Sequence, residues 1–240
     1  MMSAKRIRIC ILENGRTPDD LIDRFGSYPM MIEKWLAPFL PQAAFTYLSP
    51  VSGDKLPSPA EFDGYILSGS KYSTYERSPW MVGLIAFLQQ LRQERIPVFG
   101  ICFGHQLMAD AYGGLNAKSS KGWGVGSQRY EHDTHTLPAE NAAYVFHQDQ
   151  VNKIPPEATR IGGSAHCENG VFAYSFPAIS VQYHPEFTAE YVQALAEKFR
   201  GGLLPDLVSA NALDSISQLP VDATPIAEWV AGFFQKHIDG

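Results

Sequence analysis

The segment Pro97-Val98-Phe99-Gly100-Ile101-Cys102-Phe103-Gly104-His105-Gln106 joins an apolar run to a cysteine with glycine two residues before it and two residues after it. Residues 98–101 have the composition of a short buried strand, bounded upstream by Pro97. Residues 106–112 read as a helix stopped by Gly113-Gly114. Strand, sharp turn and helix with a nucleophilic side chain at the corner make a nucleophile elbow, here G-x-C-x-G rather than G-x-S-x-G. Glycine suits both flanking positions because a side chain there would crowd the turn. The helix N-terminus brings partial positive charge to the sulfur, which favours thiolate over thiol. Taken alone, the same residues equally describe a buried structural cysteine in a βα unit, since free cysteine is among the most buried residue types.

Upstream of the elbow, strand and helix patterns alternate. Residues 6–12 read as a strand ending in Glu13-Asn14-Gly15, and residues 19–39 as helix interrupted around Gly26 to Pro29. Strands follow at 43–48 and 63–67, the latter running into Ser68-Gly69-Ser70. Residues 80–95 carry apolar side chains at the spacing of an amphipathic helix. This alternation predicts an α/β fold: an open, mostly parallel sheet with helices on both faces. Downstream, residues 115–130 are glycine-rich and β-like. Short strands at 144–146, 158–161, 170–174 and 179–183 read as hairpins added to the sheet. A helix at 189–199 precedes a Gly201-Gly202 break, a helix near 205–218 and an amphipathic helix at 225–237. With no repeat, low-complexity linker or clear boundary, residues 1–240 are expected to form one domain with a helical tail from about 201.

Composition narrows the class. The 240 residues are 45% hydrophobic and 18% charged, ordinary for a globular protein with ample core. A formal charge of −6 with no Lys/Arg cluster argues against a nucleic-acid partner. The three cysteines, Cys10, Cys102 and Cys167, form no C-x-x-C pair, which fits a reducing compartment better than a disulfide framework. The apolar run at 9–12 is too short for a signal peptide or a membrane span, so a soluble cytoplasmic protein with no membrane partner is expected.

A cysteine nucleophile needs a base, and the base needs an orienting partner. His184-Pro185-Glu186 closes an apolar strand, and in an extended segment residues two apart share a face. Glu186 would then hold one ring nitrogen of His184 while the other faces Cys102, as in a serine triad with cysteine substituted. A surface His-Pro-Glu at a strand end is the plainer alternative. The other histidines carry less. His132 and His135 lie in a polar loop with no third ligand nearby in sequence. His105 is compatible with lining the site or with packing, and His147-Gln148-Asp149 with a substrate loop or a turn. For a developing oxyanion, the elbow supplies the Phe103 N–H, and Ser68-Gly69-Ser70 stands where a second donor would come from.

These residues resemble the class I (triad) glutamine amidotransferase family. The resemblance rests on Tyr65-Ile66-Leu67-Ser68-Gly69-Ser70, on Gly100-Ile101-Cys102-Phe103-Gly104-His105-Gln106 and on Gln182-Tyr183-His184-Pro185-Glu186-Phe187, in the family's order. It implies a flavodoxin-like fold, with Cys102 as nucleophile, His184 as base and Glu186 as orienting carboxylate. It also implies an oxyanion hole from the amides of Ser70 and Phe103. Gly69, Gln106, His147 and Asp149 would hold a glutamine or γ-glutamyl substrate. Gly122-Trp123-Gly124-Val125 and His147-Gln148-Asp149-Gln150-Val151 look like the GMP-synthase-like subgroup. Ser70 departs from the family's usual glycine, which puts the loop's backbone freedom in doubt.

The resemblance implies no metal or organic cofactor. Only some 50 residues come after Glu186, so no synthase domain is expected, and a separate ammonia-accepting subunit is one implied partner. Three readings result: hydrolysis of glutamine, cleavage of γ-glutamyl compounds by a peptidase, or a non-catalytic regulatory member with Ser70 as its motive.

Overall fold

The computed structural model describes residues 6–238. Its strands are β1 (Ile7–Leu12), β2 (Ala43–Leu48), β3 (Gly64–Leu67), β4 (Val98–Ile101), β5 (Leu115–Lys118), β6 (Gly124–His132), β7 (Glu140–His147), β8 (Asp149–Lys153), β9 (Ala158–Gly163), β10 (Val171–Tyr174) and β11 (Ala178–Val181). Its helices are α1 (Asp19–Phe25), α2 (Tyr28–Leu36), α3 (Pro79–Gln93), α4 (Phe103–Ala111), α5 (Ala189–Lys198), α6 (Asp206–Gln218) and α7 (Thr224–Ile238).

Nine strands form one sheet in the order β2-β1-β3-β4-β11-β10-β9-β6-β7. The first five run parallel to one another. With β11 counted as the fifth, this is the 2-1-3-4-5 order of flavodoxin-like sheets. The remaining strands extend the sheet through antiparallel ladders, as the hairpin reading expects, but that reading also took in β11, which forms a hairpin only with β10 and runs parallel to β4 on its other side. The α/β class therefore holds.

Both faces of the parallel half are covered, and the pleat divides the side chains between them. Ile7, Ile9, Ile11, Ile66 and Phe99 meet Ile32 and Leu36 of α2 and Ile226, Val230 and Phe234 of α7. Cys10, Leu12, Tyr65 and Leu67 face Leu84 and Leu88 of α3 and Leu107 and Met108 of α4. Each such apolar side chain is fully buried, worth roughly 1.5–3 kcal/mol.

The structure gives the C-terminal helices work that the sequence leaves open. The last helix, α7, supplies part of one face of the core. Before it, α6 lies across β6 at Gly126, where a Cβ would stand 2.3 Å from Ser215 Oγ. The Ser127 N–H donates to that same hydroxyl at 2.9 Å.

One strand is missing from the sequence reading. Of the residues read as either a substrate loop or a turn, His147 ends β7 and Asp149 begins β8, which leaves the main sheet to pair with β5 in a separate two-stranded ribbon. Its sequence, DQVNK, buries Val151 as its one large apolar side chain, so periodicity carried little signal. No helix among the described residues is long and apolar enough to cross a membrane.

Candidate active site

At the end of β4 the chain turns sharply, with Cys102 at φ 51° and ψ −102°, a conformation L side chains seldom take. The helix begins at Phe103, three residues earlier than its apolar spacing suggests, so the sulfur sits at its N-cap. The two elbow glycines act through close approach. A Cβ on Gly100 would lie 2.5 Å from Met108 Sδ and 2.8 Å from the carbonyl carbon of Gly104. One on Gly104 would lie 2.6 Å from the Leu67 carbonyl oxygen. So α4 folds back hard against β4 and β3, and the Cys102 N–H, donating to Val181 O at 2.8 Å, ties the corner to β11. The first N–H groups of a helix, Phe103 among them here, have no acceptor inside it.

Residues 182–187 leave the end of β11, and His184 is anchored there by its N–H to Tyr144 O at 2.8 Å. The expectation that His184 and Glu186 share a face of an extended strand is corrected. Pro185 and Glu186 form a turn, closed by the Phe187 N–H on His184 O, and that turn brings the carboxylate under the ring. His184 Nδ1 and Glu186 Oε1 are 2.8 Å apart, and both residues are buried. Phe187 stacks flat on the imidazole, with centroids 3.9 Å apart and planes 7° from parallel. The second ring nitrogen is left for Cys102, which lines the same cleft and acts on the ring through its charge. Burial alone would lower the His184 pKa. The charges of Glu186 and Cys102, with their hydrogen bonds, outweigh it and hold the imidazole well above its ordinary value.

The loop after β3 completes this corner. Asn14, at the end of β1, donates its N–H to Ser68 Oγ at 2.9 Å and its side-chain amide to Ser68 O at 3.1 Å. A Cβ on Gly69 would stand 2.7 Å from His184 Cε1, so the ring lies directly against that backbone. Ser70 accepts the Tyr72 N–H on its hydroxyl at 3.2 Å. Its φ is not positive, so serine is held there without the strain that would demand glycine.

Gln106 donates its side-chain amide to Asp149 O at 2.9 Å and to Gln182 Oε1 at 3.1 Å. Tyr75 donates to the Asp149 carboxylate at 3.2 Å. His147 meets Asp149 O with Nδ1 at 3.1 Å; a carbonyl only accepts, so Nδ1 carries the proton and Nε2 is an acceptor. That Nε2 is buried without a hydrogen-bond partner. Burial, reinforced by neighbouring His166, pushes the His147 pKa down to about 3, so it is neutral at pH 7. Cys102, His184, Ser70, Gln106, His147 and Asp149 all line one cleft of about 250 Å³. Gly69, Phe103 and Glu186 lie buried around it.

The remaining sequence candidates fall elsewhere. His105 is fully buried, bonded to Ser180 Oγ at 2.8 Å and Asn169 O at 3.0 Å, and packs on Phe172. Of its two alternatives, packing is the one observed. The His132 ring bonds the Pro138 carbonyl, and His135 is exposed. Burial pushes the thiols of both Cys10 and Cys167 up to about 12. The sequence reading assigns no part in the site to Phe187 or Asn14, and takes Tyr75 only as one residue of a loop, 72–77, that either tunes specificity or simply packs. Phe187 stands directly after the His-Pro-Glu segment, where an aromatic beside a proposed base is a usable signal. Asn14 comes after a parallel strand, where sites collect.

The sequence model of "Glutamine amidotransferase class-I" matches residues 42–199, more than half of the chain. Gamma-glutamyl peptidase 3 of Arabidopsis thaliana is 30% identical over 149 residues, covering 58% of this chain and 60% of that one. One of the subunits of the glutamine-hydrolysing GMP synthase of Methanopyrus kandleri is 31% identical over 116 residues, covering 43% of this chain and 59% of that one. The chain thus spans about three fifths of the length of the curated relatives it matches. A solved glutamine amidotransferase of Methylobacillus flagellatus superposes with a TM-score of 0.77 at 22% identity, over 97% of this chain and 96% of that one, a likeness of fold. Family match and fold agree: the chain belongs to the class I glutamine amidotransferases.

Proposed function

We propose that this chain, acting as one domain, hydrolyses the side-chain amide of glutamine through a γ-glutamyl thioester on Cys102. The observation that carries the reading is the convergence of Cys102 and His184 in one cleft at the carboxyl ends of β4 and β11, with Glu186 buried beside the ring and bonded to it. The Cys102 thiolate adds to the amide carbon, and the carbonyl oxygen takes up the charge, held by the N–H groups of Ser70 and Phe103. As the tetrahedral centre collapses, the C–N bond breaks and His184 gives its proton to the departing ammonia. His184 then takes a proton from water, which attacks the thioester, releases glutamate and restores the thiolate. Glu186 keeps the ring's tautomer and orientation through both steps. Donors of this kind are worth roughly 10²–10³ each in kcat, and the proton transfers roughly 10²–10⁴.

Within this reading Gly69 shapes the pocket floor, and Gln106 fixes the Asp149 strand. His147 Nε2 and Asp149 offer acceptors to the substrate's α-ammonium group. These steps use protein groups and water alone. The relative that is a subunit of GMP synthase supports passing the ammonia to a separate acceptor subunit. A second reading, cleavage of γ-glutamyl amides with larger leaving groups, is supported by the γ-glutamyl peptidase relative and by a cleft that runs well past His184. The non-catalytic reading loses its motive, because Ser70 sits in its loop without strain.

The test is release of ammonia from glutamine, and of amine from γ-glutamyl peptides, by wild type and Cys102→Ala. Wild type is expected to turn over at least one of them, with a loss of about 10³-fold or more in the variant. Equal inertness of the two proteins toward every substrate would overturn the proposal.

A further inference from the structure

The cleft holds more than glutamine hydrolysis requires. In γ-glutamyl transfer to a cysteine the leaving nitrogen takes its proton from His184, so the leaving group lies on the His184 side of the sulfur. There Phe187 covers the imidazole, and an apolar wall continues outward. Phe146 lies 5.8 Å from Trp123 and 5.9 Å from Phe199, centroid to centroid. These three and Leu203 all line the cleft, and Leu203 is 51% exposed at its rim. Ammonia, about the size of one water, gains nothing from such a wall.

The second observation is charge. Arg16, Lys71 and Lys118 line the same cleft and are exposed. None takes part in an ion pair among the described residues, whereas seven other lysines and arginines do. The one carboxylate in the lining, Asp149, already accepts from Tyr75. In a chain of formal charge −6, this mouth is locally positive. A glutamyl moiety brings one α-carboxylate, which leaves cationic capacity for a second anionic group.

Building on the γ-glutamyl reading of the same site, we propose that the preferred substrate is a γ-glutamyl amide whose leaving amine is large, apolar and carboxylate-bearing. Such a compound is in effect a γ-glutamyl derivative of an aromatic or bulky aliphatic amino acid. Trp123, Phe146, Phe199 and Leu203 hold its side chain, and the cations at the mouth hold its carboxylate. Cys102 Sγ bonds the γ-carbonyl carbon, the amide C–N bond breaks, and the His184 proton leaves with the amino acid. Water then returns glutamate and the thiolate.

The test measures kcat/KM for γ-glutamyl-phenylalanine, γ-glutamyl-glycine, γ-glutamyl-phenethylamide (which lacks the carboxylate) and glutamine. The phenylalanine compound is expected to exceed the glycine compound by about tenfold or more, the scale on which apolar pockets discriminate. The phenethylamide should fall between them. The phenylalanine-to-glycine ratio should drop about tenfold in Trp123→Ala and several-fold in Leu203→Asp. A ratio within one sample is independent of the folded fraction, and Leu203 is exposed, so misfolding cannot imitate the result. If glutamine is hydrolysed but the ratio is near one, or is unmoved in both variants, the leaving-group site is wrong and the glutamine reading stands. If no compound is cleaved, glutamine included, both fall.

Discussion

Burial pushes the thiols of Cys10 and Cys167 up to about 12, which keeps both protonated at neutral pH. Cys102 is buried too, but it alone stands at a helix N-cap and shares its cleft with an imidazole whose own pKa is raised. That contrast selects one sulfur of three. The imidazole's position depends in turn on Gly69, because a Cβ there would overlap Cε1. Gly69→Ala is therefore expected to lower kcat about 10²-fold, the usual consequence of displacing a reacting group by about an ångström. Steady-state kinetics beside a circular-dichroism melt check it, and a kcat within twofold of wild type would remove Gly69 from the account. The corner is legible in the sequence because the elbow, the Ser68-Gly69-Ser70 loop and His184-Pro185-Glu186 occur together in one order, where each alone has a plainer reading. The aromatic wall is not, since Trp123, Phe146 and Phe199 come from a loop, a strand and a helix end that only packing joins.

Among the elements, the elbow is the one whose local sequence and tertiary contacts agree throughout. Its glycines look like turn residues in the sequence, and the structure gives their cause as the approach of α4 to β3 and β4. Gly104→Ala places a Cβ 2.6 Å from the Leu67 carbonyl, backbone that cannot swing aside. Overpacking of this kind costs about 1–3 kcal/mol, so the urea midpoint should fall accordingly with the m-value unchanged. An unshifted midpoint would mean that α4 moves freely against the sheet. Two other elements are hard to read from sequence for physical reasons. The turn at Pro185 and Glu186 pairs residues two apart, as a strand would, so the pattern does not distinguish them. The polar strand β8 is set by its pairing with β5, and single-sequence periodicity has no access to pairing.

Across the whole molecule the alternation of the first half translates directly into four of the five parallel strands, β1 to β4, whereas the fifth, β11, reads as a hairpin strand and owes its parallel place to long-range pairing with β4. The order of the antiparallel half depends on long-range pairing, and the tail's role on contacts such as Ser215 with Ser127. The fold also carries a pH liability. Burial pushes His105 and His147 down to about 3, so between that value and the ordinary imidazole range the unfolded chain binds more protons than the folded one. Stability is then present above about pH 6.5 and is lost as pH falls toward 3, with a slope of up to about 1.4 kcal/mol per pH unit for each histidine. Denaturant midpoints at pH 7 and pH 5 should differ by less in His105→Gln than in the wild type; an equal difference would contradict neutral burial of His105. The central claim is that Cys102 carries the glutamyl group between two half-reactions. Acid-quenching the wild type during turnover of glutamine or γ-glutamyl-phenylalanine and mapping the adduct by mass spectrometry tests it most directly. The account predicts one γ-glutamyl thioester, on the peptide bearing Cys102 and absent from Cys102→Ala. An adduct on Cys10 or Cys167, or turnover that persists in Cys102→Ala, would contradict it.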